Sequence, residues 1–143
     1  MSNLLFGLFL RSPLEITERK GHGKKEFPDP GTDLAGMDAT VNEGWIDLKV
    51  TNNTSNTYQI RITFDDAHIY GFLRAARQPE FQYEIQSRGL KYLERKGHVY
   101  QTVIIYRQNI ERETGVLRGE RQLYENRCEI GYSLPPGVLA EKE

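Results

Sequence analysis

The chain has 143 residues, with 19 basic and 20 acidic side chains and a formal net charge of −1. That is the length of one domain, enough to bury about 70% of the unfolded surface, and the balanced charge excludes a global field for steering nucleic acid. A single cysteine excludes an internal disulfide and a cysteine-rich zinc site, while eight Tyr, six Phe and one Trp exclude wholesale disorder.

Ser2 is a fair N-cap ahead of the apolar run Leu4-Leu-Phe-Gly-Leu-Phe-Leu10. Arg11 suits the dipole of a last turn, and Ser12-Pro13 stops the helix. The run is too short to span a bilayer and lacks the basic flank and cleavage site of a signal peptide. On this sequence alone the chain reads as cytoplasmic, without a transmembrane segment.

Residues 14–18 alternate as a short strand. Residues 20–37 are polar and hold Gly21, Gly23, Pro28, Pro30, Gly31 and Gly36, which predicts a long loop of the kind that carries function. Strands follow at 45–51, Tyr58–Phe64 and 68–74, with tight turns that predict an antiparallel meander. A second group is read at 81–85, with 90–93 as its continuation, then 99–107 and 117–124, a long hairpin turning at Glu113-Thr-Gly115. Residues 134–143 read as a disordered tail after a domain of residues 1–133. The expected class is α+β: a short N-terminal helix packed on a mainly antiparallel sheet.

No Walker-type glycine loop and no His-Glu-x-x-His motif is present, and His22, His68 and His98 are scattered, so the sequence calls for no metal and no cofactor. His68 and His98 flank strands and read as surface residues. Cys128 lies in an alternating stretch and reads as a buried structural thiol rather than a nucleophile. His22 lies between two glycines in the long loop. It reads either as an exposed loop histidine or as a general base awaiting a nucleophile.

An ordered series of segments resembles the VanW family. Ser2-Asn-Leu-Leu5, Ser12-Pro-Leu14 and Glu18-Arg19 look like its helix and first strand, and His22 falls at its loop histidine. Phe27-Pro-Asp29, Asp38-Ala-Thr-Val41, Asp47-Leu48, Asn52-Asn-Thr54 and Gly71-Phe-Leu-Arg74 follow in order. The similarity covers about residues 1–132. In the family a glycine-rich stretch ending in Gly-x-Cys-Gln precedes the Ser-Asn helix, and some members act as L,D-transpeptidases on peptidoglycan through that cysteine. Met1 stands in the slot between Gln and Ser, so the resemblance implies an N-terminally truncated domain without its nucleophile. It also implies His22 as base and Asp38 as the group that orients it, a link to the cell wall and glycopeptide resistance, and no activity for this chain alone. A cell-wall location would follow if the true start lies upstream. The alternative is a non-catalytic module that binds a peptidoglycan stem peptide or a partner protein through an exposed strand edge.

Overall fold

The computed structural model describes residues 2–27, 35–39 and 48–143. One helix, α1 (Ser2–Leu10), opens the chain. It is followed by β1 (Glu15–Glu18), β2 (Lys24–Lys25), β3 (Lys49–Thr51), β4 (Tyr58–Phe64), β5 (Ile69–Ala75), β6 (Phe81–Arg95), β7 (His98–Glu111), β8 (Leu117–Ile130) and β9 (Glu141–Lys142).

The architecture is mostly β, which corrects the α+β expectation. The helix has nine residues, whereas β6, β7 and β8 have 15, 14 and 14. These three long strands form an antiparallel meander, and short strands add in parallel at both edges. β2 pairs with the end of β8 at Glu129 and Ile130, and β9 pairs with β6 at Leu93 and Glu94. The five-stranded sheet, in the order β2-β8-β7-β6-β9, is therefore mixed.

β6 reads as two pieces in sequence because Gly89 interrupts it. In the structure Gly89 has φ +68° and sits where the β6–β7 register shifts between Arg88 and Lys91. A bulge with glycine in the left-handed region keeps the strand going past the interruption.

The predicted meander of residues 45–74 is a second correction. Residues 45–47 lie outside the described residues, and β3 pairs antiparallel with β1 rather than with β4. The reason lies in the turn. Asn52 Nδ2 donates to the carbonyl of Asn56, and Asn56 in turn bonds the backbone of Arg77 through both ends of its amide. The Asn-rich segment is thus tied to the far end of β5, and β4 and β5 stand as a separate hairpin.

α1 packs on the long meander. Phe6, Leu10 and Ile105 are fully buried, each worth about 1.5–3 kcal/mol relative to exposure. Ile85, Leu123 and Tyr124 pack against both Phe6–Leu10 and Val103–Ile105, joining them in one core. Buried Arg107 closes the C-terminal end of α1. Its guanidinium donates to the carbonyls of Phe9 (2.9 Å), Leu10 (2.8 Å) and Leu14 (3.1 Å), satisfying groups that a helix end leaves open. No helix among the described residues is long and apolar enough to cross a membrane.

Candidate functional site

The loop after β1 is shaped by Arg19, whose side chain is 9% exposed. Its guanidinium lies over the rings of Tyr124 and Phe6, 4.3 and 5.4 Å from their centroids. From there it donates to the carbonyls of Asp38 (2.8 Å) and Gly36 (3.0 Å) and to Oδ1 of Asn126 (2.8 Å). The chain then crosses over this group at Gly21. A Cβ there would stand 2.7 Å from the guanidinium and 2.8 Å from the Asn126 oxygen. After His22 the chain is pinned to β8, where Glu129 N–H donates to Gly23 and Gly131 N–H donates to Lys25.

Residues 35–39 form the facing strap. Gly36 has φ +76° and fits against Val103, and its carbonyl also accepts from Tyr124 Oη at 2.7 Å. The strap's far end reaches α1, where Ala39 N–H donates to Asn3 Oδ1 at 2.9 Å. Asn3 lies in the helix's first turn, so the strap is anchored beside the helix N-terminus.

Between these two anchored segments, Nδ1 of His22 lies 2.6 Å from Oδ2 of Asp38. The backbone N–H of His22 donates to the same oxygen at 2.8 Å, and Arg19 stands 3.4 Å from Oδ1. Burial alone would raise the Asp38 carboxyl. The two His22 hydrogen bonds and the charges of Arg19 and Lys25 outweigh it, and its pKa lies below the ordinary aspartate value. Burial pushes the Tyr124 hydroxyl well up, so it stays a donor. The His22 ring is half exposed, while Asp38 is largely covered.

The structure therefore brings together both residues that the sequence singled out. Residues 28–34 of the long loop, and the side chain of Ser2, lie outside the described residues. His68 and His98 sit on the surface beside Asp65 (3.4 Å) and Glu129 (2.5 Å). Cys128 is buried in β8, across from Gln101. Sequence reasoning missed the roles of Asn3, Gly36 and Tyr124. Arg19 entered only as half of the Glu18-Arg19 pair. No spacing rule signals these contacts, since Arg19 and Asn126 are 107 positions apart.

A mostly β protein with a short helix α1 and a His–Asp pair beside its first turn is the class these features define. The family model described as VanW like protein matches residues 1–74, which include α1, both anchored segments and all but the last residue of the β4–β5 hairpin. The chain belongs to the VanW family. The vancomycin B-type resistance protein VanW of Enterococcus faecalis (strain ATCC 700802 / V583) is 45% identical over 139 residues, covering 96% of this chain and 50% of that protein. The chain thus spans about half the length of this curated relative. No solved structure matches it significantly.

Proposed function

We propose that this chain serves vancomycin resistance at the cell wall, as the base-bearing part of a thiol acyl-transfer site acting on peptidoglycan stem peptides. The observation that carries the reading is the His22–Asp38 hydrogen bond, on a strap that Ala39 N–H ties to Asn3 in the first turn of α1. Ionised Asp38 fixes the ring through Nδ1 and leaves Nε2 to take a proton. Free N–H groups at the helix start favour a thiolate and an acyl oxyanion. The sequence identity to a vancomycin-resistance protein supports the biological setting.

The nucleophile in this reading is a cysteine of the family's glycine-rich Cys-Gln type, placed ahead of Ser2. Cys128 is only 2% exposed and lies in the interior of the sheet. The test compares the 143-residue chain with one extended by such a segment, in cross-linking of tetrapeptide stems. The short chain should be inactive and the extended one active. His22→Ala in the extended chain should cost roughly 10²–10⁴-fold in rate. An active short chain, or an extended chain indifferent to His22, would overturn the assignment. An extended chain that binds stem peptides without cross-linking them would favour the binding-module alternative.

A further inference from the structure

Most arginines of this protein are committed. Arg88, Arg118, Arg121 and Arg127 pair with Glu120, Glu111, Glu15 and Glu143, and Arg19 and Arg107 are tied to carbonyls. Arg61 and Arg74 differ. Both are exposed, and neither side chain has a hydrogen bond or ion pair among the described residues, a state they share with Arg95 and Arg112.

These two arginines share one face of the β4–β5 hairpin. Register places Arg61 directly across from Phe72, and Arg74 is two residues beyond Phe72 on the same strand. Phe72 is 56% exposed, although the opposite face of the hairpin packs on α1 through Gly71, Leu4 and Leu8. The arginines and Phe72 line a groove of about 760 Å³ that continues to Pro79, and no carboxylate among the described residues lines it. β5 pairs only with β4, so its other edge offers unpaired backbone groups among the described residues.

We propose that this groove and the open edge of β5 bind an extended acidic segment of a partner protein, with carboxylates and apolar side chains taking turns at every second residue, so that both lie on one face. Each feature selects part of that occupant. The open edge satisfies another backbone, which only a peptide brings. Side chains of an added strand project to one face at every second residue, matching the spacing of Phe72 and Arg74. An apolar side chain meets the Phe72 ring, and a carboxylate meets the Arg74 fork. Arg61 stands about two strand spacings, roughly 10 Å, from the added strand, within joint reach of its own extended side chain and a glutamate. This inference does not depend on the His22 chemistry.

The test is fluorescence anisotropy of the 143-residue chain with three labelled peptides. The first repeats Glu-Thr-Phe-Thr, which sets glutamate and phenylalanine on one face and threonine on the other. The second replaces each glutamate by lysine, and the third is the acidic peptide with N-methylated backbone on its pairing edge. The acidic peptide should bind best, weakening as salt rises. The other two should bind at least tenfold more weakly. The double variant Arg61→Gln/Arg74→Gln should lose at least tenfold toward the acidic peptide and Phe72→Ser several-fold, with unchanged circular dichroism. Lys91→Gln, in β6 of the five-stranded sheet, should leave binding unchanged. Equal binding of acidic and basic peptides, or indifference to Arg61 and Arg74, would overturn the proposal. So would a preference for polyphosphate or anionic vesicles. Self-association abolished by the same substitutions, without peptide binding, would also overturn it.

Discussion

Nδ1 of His22 lies 2.6 Å from Oδ2 of Asp38, a pair formed by segments sixteen positions apart. The Asp38 pKa is lowered, so the carboxyl is ionised at neutral pH and can only accept. The proton between them therefore sits on Nδ1. When the ring is neutral, its lone pair is on Nε2, the nitrogen that points away from the carboxylate. A general base needs that arrangement.

The same lowered pKa sets a pH dependence. Burial opposes ionisation of Asp38, but hydrogen bonds from His22 and the Arg19 charge hold the folded value below the unfolded 3.8. A depressed carboxyl contributes stability above its unfolded pKa and loses it as pH falls through the folded one. Urea denaturation should show wild type more stable than Asp38→Asn above about pH 4–5, with the gap closing below that range. A gap that stays constant down to pH 2 would mean that the carboxylate charge plays no part.

Arg19 joins both halves of the site to the core. Arg19→Met would remove the charge-assisted bonds to Gly36, Asp38 and Asn126, leaving the Asp38 carbonyl and the Asn126 amide oxygen without this donor while Gly36 keeps only its bond from Tyr124. The expected cost is about 3 kcal/mol, read as a lower urea midpoint at unchanged slope. Arg19→Lys should recover only part of it, because an ammonium cannot reach several acceptors as the planar fork does.

Gly36 is the narrowest point of the strap. Its φ is +76°, and a Cβ there would come within 2.5 Å of Val103 Cγ1. Gly36→Ala combines a disfavoured backbone with overpacking, for an expected loss of about 2 kcal/mol or more. The amide spectrum should shift mainly at residues 35–39 and around Val103.

Local signals made much of this legible. The helix signals at Ser2 and Pro13 frame α1, and alternation locates β4 in full. Pairing was less legible. Alternation cannot say that β3 seeks β1, because the choice is made by Asn52 and Asn56 side chains folding the turn back on itself and onto Arg77. Nor can it announce a two-residue parallel strand such as β2 or β9, whose pairing depends on where the long strands end. His22 and Asp38 were named from glycine context and family likeness. The arginine and tyrosine that hold them were not, since a cation buried between two rings has no periodicity to read.

The nitrogen state of His22 tests the account most directly, since it needs neither nucleophile nor substrate. Long-range proton–nitrogen correlation spectra of the ¹⁵N-labelled chain, assigned with His22→Gln, report which ring nitrogen carries the proton. On the alkaline side of the ring's titration, the wild type should show His22 protonated at Nδ1 with an unprotonated Nε2. In Asp38→Asn that preference should be lost, while His68 and His98 stay as they were. A wild-type ring protonated at Nε2, or a tautomer indifferent to Asp38, would contradict the claim that Asp38 holds His22 ready as a base.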